Sequence, residues 1–171
     1  MNVSYSWGST AERYRIVPGK VTPGFVFSSA GLPAIRDIRV DPNIDTEKLG
    51  AEYEENSEKL EILEEKVKWT GKTIGPKAPP KTLNIAGFLS DLIGSKDQSV
   101  QLGWVKNKGV LNSLEVKLNE AQKKIASGDL KAAKNILTAF LSEVAAQKDK
   151  GLSPEAYAIL YFNAKYLIDH M

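Results

Sequence analysis

Hydrophobic positions are most regular in the last third of the chain. From Val110 onward apolar residues recur at alternating intervals of three and four, the spacing that lines up one face of an α-helix. Leu111, Leu114, Leu118, Ala121 and Ile125 predict a first helix. Ser127-Gly128-Asp129 ends it, because glycine adopts the left-handed conformation that closes a helix and aspartate caps the next. Leu130, Ala133, Leu137, Phe140 or Leu141, and Val144 predict the second. Lys148-Asp149-Lys150-Gly151 breaks the pattern and Leu152-Ser153-Pro154-Glu155 restarts it, with Ser153 as N-cap, Pro154 in the first helical position and Glu155 facing the positive end of the helix dipole. The third helix carries Ala156, Ile159, Leu160, Phe162, Ala164, Leu167 and Ile168, with Tyr157, Tyr161 and Tyr166 between them. Being apolar on most sides, it belongs in the middle of a bundle.

The pattern upstream is different. Residues 1–44 read as an extended, β-prone arm or the remnant of a preceding domain. Short pieces, Val3 to Trp7, Tyr14 to Val17, Phe25 to Ser28 and Ile35 to Val40, alternate with Pro18-Gly19, Pro23-Gly24 and Gly31-Leu32-Pro33. Residues 45–69 predict a long polar helix. Its apolar positions include Leu49, Tyr53, Leu60, Ile62, Leu63, Val67 and Trp69, and Leu60, Leu63 and Val67 form a narrow seam suited to a partner chain. Residues 70–83, with Gly71, Gly75, Pro76, Pro79, Pro80 and three lysines, read as an extended linker. Residues 84–171 then form the bundle. It opens with a short helix from Ile85 to Ile93 capped by Asn84, followed by a glycine-punctuated connection from Gly94 to Gly109. Trp104, in that connection, either plugs the mouth of the bundle or presents an exposed anchor.

Composition narrows the function classes. The 171 residues are 42% hydrophobic and 26% charged, as in soluble globular proteins, and the net charge of +2 lacks the basic footprint of a dedicated nucleic-acid binder. No run approaches the roughly 18 apolar residues of a membrane-spanning helix, so no membrane insertion is expected. The first residues have neither the basic nor the apolar region of a signal peptide. Asn2-Val3-Ser4 matches a glycosylation acceptor, a short pattern that arises often by chance.

Cysteine is absent, which removes disulfides, thiolate nucleophiles and iron–sulfur clusters, and the single histidine, His170, is next to last. Zinc chemistry needs several ligands together, and no such group stands out. Glu52, Glu54, Glu55, Glu58, Glu61, Glu64 and Glu65 follow one another along one helix. Carboxylate-pair or di-metal chemistry needs acidic groups converging from different elements, so these read as a solvated face laced with Glu–Lys pairs such as Glu64–Lys68. Gly19-Lys20 and Gly71-Lys72 do not complete a phosphate-binding loop, no Gly-x-Ser-x-Gly elbow occurs, and Ser28-Ser29 has no nearby histidine. No catalytic residues, metal ligands or cofactors are expected.

From about Ile85 to Ile168 the chain resembles a FIMAH domain, a small helical module near the C-terminus of many exported bacterial proteins. The resemblance rests on Asn107-Lys108-Gly109-Val110-Leu111-Asn112-Ser113-Leu114, Lys117 to Ala121, Gly128-Asp129-Leu130-Lys131-Ala132-Ala133, Thr138 to Val144, Leu152-Ser153-Pro154-Glu155-Ala156 and Asn163 to Ile168. The segment from Gly94 to Asn107 departs from it, being longer and richer in glycine. The resemblance implies a non-catalytic accessory role and an extracellular or cell-surface location, and it carries over no catalytic or metal residue. The missing leader fits a mature form or a piece of a longer exported protein. Gly128 to Ala133 also looks like half of a tetratricopeptide repeat, but that architecture needs about three repeats of about 34 residues, and no second copy of the signature occurs at that period.

The reading is therefore a mainly α protein, a small helical bundle preceded by a long polar helix and a β-prone arm. Its expected role is a structural or adhesion module of an exported prokaryotic protein, holding a protein partner or a second copy. Leu60, Leu63, Val67, Trp69 and Trp104 are the candidate contact residues. The alternative is a carbohydrate-binding accessory module of a secreted hydrolase or lyase. A protein-contact module should expose an apolar patch around Leu60, Leu63, Val67 or Trp69, whereas a sugar binder should expose coplanar aromatics among Trp7, Trp69 and Trp104.

Overall fold

A computed structural model describes residues 29–40 and 57–171. The expected strands at Val3 to Trp7, Tyr14 to Val17 and Phe25 to Ser28, and the first part of the long polar helix, lie outside these residues. The described elements run β1 (Leu32–Val40), α1 (Ser57–Val67), β2 (Trp69–Lys77), α2 (Ile85–Gln101), α3 (Lys108–Ala126), α4 (Leu130–Ala146) and α5 (Pro154–Asp169). Helices account for 63% of them, so the fold is mainly α with one small antiparallel sheet.

The core belongs to α2–α5. Each helix starts on a side-chain cap that satisfies amides with no partner inside the helix. Asn84 accepts from Gly87 N at 3.0 Å, Asn107 from Gly109 N at 2.8 Å, Asp129 from Ala132 N at 3.0 Å and Ser153 from Ala156 N at 3.3 Å. Gly128, at φ +79°, closes α3. Its N–H donates to Ile125 O at 3.0 Å and that of Asp129 to Lys124 O at 2.9 Å, the paired bonds of a left-handed helix stop. The apolar stripes then meet: Leu114 and Leu118 of α3, Leu137, Phe140 and Val144 of α4, and Ala156, Leu160, Ala164 and Leu167 of α5 are all buried in one cluster. Phe140, not Leu141, takes the core position, and Leu130 stays exposed. Each fully buried leucine contributes about 1.5–3 kcal/mol relative to exposure. Helix α5 packs on α2, α4 and both strands, the central place its apolar surface predicts.

Helix α2 runs to Gln101, well past the expected end at Ile93. Gly94 is exposed and meets nothing within 4 Å, so its cost of about 1 kcal/mol in a helix interior is set against burial of Lys96 and Ser99 one and two turns beyond Leu92. The spacing Leu89, Leu92, Lys96, Ser99 continues the apolar stripe with two polar residues. Lys96, 3% exposed, lays its stem in the interior and its ammonium 2.7 Å from Asp97. The Ser99 hydroxyl donates to Ser95 O at 2.8 Å. The connection therefore shrinks to residues 102–107. Trp104 in it is half-buried against the core, while its carbonyl accepts from Ser153 N at 2.8 Å.

The larger departure is at residues 69–77. The expected helix ends at Val67, Trp69 starts a strand, and most of the expected linker is β2. Strand β2 pairs with β1 from Leu32 opposite Lys77 to Val40 opposite Trp69. Proline and glycine are tolerated because both strands of a two-stranded ribbon are edges. The glycines also make room: the Trp69 indole lies over Gly71, and Arg36 crosses Gly75 to donate to Pro76 O at 3.1 Å. Asp37 and Lys72 pair across the ribbon, and Ile35 faces Ile74. An isolated ribbon is marginal in water. Here it is docked on α5, where Asn163 Nδ2 donates to Pro33 O at 2.9 Å and to Ile159 O at 2.8 Å.

Candidate functional site

The expected contact residues do not all come together. Leu60 and Leu63 are half-buried, Val67 is 42% exposed and Trp69 56% exposed. Trp104 belongs to the bundle. Two residues that the narrow seam did not single out join the exposed set: Ile62 at 49%, one position off the seam, and Val40 at 44%, the cross-strand partner of Trp69. The pairing of the ribbon is what brings Val40 to Trp69, so a helix periodicity in residues 45–69 carried no signal for it. Because its ring lies over Gly71, the Trp69 indole is flattened on the ribbon and not extended into solvent.

The flank of α1 is acidic. Glu58, Glu61 and Glu65 surround Ile62 in a shallow depression, with Lys66 beside them. Lys68 pairs with Glu65 and not with Glu64; to Glu64 O it donates only a backbone bond at 3.1 Å. Among the described residues no three His, Asp or Glu side chains gather at metal-binding distance. No described helix is long and apolar enough to cross a membrane.

A second depression, about 560 Å³, lies where the ribbon meets α5. Pro33, Pro76, Phe162, Lys165 and Asp169 are among its walls. Phe162 is 48% exposed there. Lys165 donates to Asp169 at 2.8 Å, and that hydrogen bond first, then the attraction of the carboxylate, holds its pKa above the ordinary lysine value. Tyr157 and Tyr161 stack at 5.1 Å and pack on the core as rim residues, with the Lys148 ammonium 5.0 Å from the Tyr157 ring.

The most reactive-looking cluster is Ser113, Lys117 and Glu143. The Lys117 ammonium is 2.9 Å from Ser113 Oγ and 2.7 Å from Glu143 Oε2, and Ser113 donates to the same carboxylate at 2.9 Å. A serine nucleophile must give its proton to a base and needs donors for an oxyanion. Here the hydroxyl and the ammonium both donate to one carboxylate, so the cluster is a polar tie between α3 and α4.

Four capped helices, the glycine stop at Gly128 and the Ser153-Pro154 start define the bundle, and residues 89–169, just under half of the chain, match the family model of the FIMAH domain. Over that span the bundle is similar to a FIMAH domain. FIMAH domains are accessory modules, and the family is associated with exported proteins. The matched span begins inside α2 and ends with α5, so the ribbon, α1 and the first turn of α2 lie outside it. No curated protein and no solved structure matches the chain.

Proposed function

We propose that the chain is a non-catalytic contact module of an exported prokaryotic protein, acting outside the cell, in which the FIMAH bundle is the scaffold and the ribbon with α1 makes the contact. The observation that carries this reading is the placement of exposed apolar side chains. Val40, Ile62, Val67 and Trp69 belong to the ribbon and α1, outside the packed core, while the other exposed large apolar residues, Leu102, Val116, Leu130 and Phe162, are spread over four different segments of the bundle. A flattened tryptophan with Val40 opposite it on the ribbon has the aromatic and apolar composition of an interface centre, and on α1 Ile62 sits among Glu58, Glu61 and Glu65. A platform of coplanar tryptophans for sugar would need two exposed members. Among the described residues only Trp69 is exposed, Trp104 is half-buried, and Trp7 lies outside them.

The first partner to test is a second copy. Light scattering on the whole chain, from micromolar to millimolar concentration, should give a mass that rises with concentration. The variant Val67→Glu with Trp69→Glu should stay monomeric while keeping its helical circular dichroism, because both side chains lie outside the buried core of the bundle. A monomer at every concentration would overturn self-association as the mode of contact.

A further inference from the structure

We propose that the end of the bundle formed by the α2–α3 and α4–α5 loops binds a linear acidic polysaccharide through Lys106, Lys108, Lys148 and Lys150. All four are exposed. The two loops that carry them are joined: Lys106 N donates to Gly151 O at 2.8 Å, and Val105 bridges to Leu152. Gly151 makes that junction close. A side chain there would meet Gln147 Oε1 at 2.8 Å, Val110 Cγ2 at 3.1 Å and Asn107 Cβ at 3.3 Å. Asp149, the one non-glycine residue with positive φ among those described (59°), turns the tip between Lys148 and Lys150. Lysines from two segments are thus held at one end by a fixed backbone, so binding has only their side chains left to order.

Their charges are also unspent. In the bundle Lys96, Lys117, Lys124 and Lys165 each face a carboxylate within 4 Å, whereas Lys123, Lys131 and Lys134 at the opposite end have no ion pair among the described residues and come from no hydrogen-bonded pair of loops. Lys106, Lys108 and Lys150 have no ion pair among the described residues, and Lys148 rests on Tyr157. Four ammonium groups, against Asp149 at the tip and Glu155 in the first turn of α5, leave a positive balance that complements a polymer bearing carboxylates at intervals. The patch contains lysine and no arginine, and Lys148 already covers the adjacent tyrosine ring, so it offers neither the bidentate forks nor the stacking face that nucleic-acid binding uses. Leu102, 36% exposed, is the one large apolar residue presented by these loops, too little to anchor in a bilayer. This inference is independent of the contact surface around Trp69.

The test uses the whole chain with polygalacturonate oligomers, and the same oligomers with their carboxylates methyl-esterified as the neutral control, in a calorimeter at low and high salt. Binding of the acidic form only, weakened by salt, is expected. The fourfold variant Lys106→Gln, Lys108→Gln, Lys148→Gln, Lys150→Gln should lose ~10-fold or more in affinity with an unchanged melting temperature. Lys123→Gln, Lys131→Gln, Lys134→Gln, at the opposite end, should change it less than ~2-fold. Equal binding of the esterified oligomer, equal loss from the two variants, or tighter binding to single-stranded DNA or phosphatidylserine vesicles would overturn the proposal.

Discussion

Asn163 is where the ribbon is fastened to the bundle, and replacing it separates the stability of the two parts. Its Nδ2 serves two carbonyls, Pro33 O at 2.9 Å and Ile159 O at 2.8 Å. Ile159 O belongs to α5 itself, so losing that bond costs the helix little. Pro33 O belongs to β1, and without the amide it must find water. A net hydrogen bond is worth about 0.5–1.5 kcal/mol, so Asn163→Ala should favour undocking by about 1 kcal/mol, roughly a fivefold rise in the open population. The bundle core contains no ribbon residue and should not register the change. Hydrogen exchange read by mass spectrometry is the assay. Peptides spanning 29–40 and 69–77 should exchange about fivefold faster, while those from α4 and the middle of α5 keep their protection. Asn163→Asp keeps the shape but turns a donor into an anion facing two carbonyl oxygens, so it should undock the ribbon further than alanine does. Equal acceleration in ribbon and bundle, or none in either, would refute the assignment of Asn163 as the fastening.

Two other outcomes are expected. Lys96→Met keeps the packed stem and removes a buried charge whose partners, Asp97 and Glu115, remain half in water, so stability should hold or rise by up to ~1 kcal/mol. Lys96→Ala leaves a void and should cost about 2 kcal/mol in denaturant unfolding; a methionine variant less stable than the alanine one would contradict this account. Asp169→Asn should bring the Lys165 pKa down to the ordinary lysine value, followed by NMR of its side chain. In the unchanged protein the pair's contribution is complete below the ordinary lysine pKa and is lost as pH rises through the raised one. An unshifted Lys165 titration in the variant would refute the hydrogen bond as the cause.

The bundle was legible in the sequence because its signals agree at every level. Leu114, Leu118, Leu137 and Val144 follow the helical period, and Asn84, Asp129 and Ser153 mark the starts. Gly128 marks a stop. What misled was punctuation read without its tertiary setting. Gly94 looks like a helix end, yet the stripe runs on through Lys96 and Ser99, polar residues that a hydrophobic count passes over. Gly71, Gly75 and Pro76 look like a linker because a strand interior normally rejects them. A ribbon of two edges accepts them, and the pairing that makes it one comes from Leu32–Val40, from 29 residues away (Val40 with Trp69) to 45 (Leu32 with Lys77). Val40 entered the exposed apolar set only through that pairing. The lysines at 106, 108, 148 and 150 were visible as charges, but their convergence depends on the bond from Lys106 to Gly151.

The distribution of burial argues for a division of labour within the chain. Every member of the buried cluster comes from residues 89–167, close to the span of the FIMAH match, so the bundle can hold its shape whatever the ribbon does. The ribbon, by contrast, depends on one asparagine, a cross-strand ion pair, its packing on α5 and an exposed ion pair from Lys77 to Asp91 of α2 at 3.9 Å. Such a segment can shift against α5 at small cost, and a contact surface on it can adjust to its partner without unfolding the scaffold. A ligand held by the loops at the end of the bundle meets the opposite condition: the backbone bonds from Lys106 N to Gly151 O and from Ser153 N to Trp104 O tie the two loops together, so that end should select by charge spacing and not by adaptation.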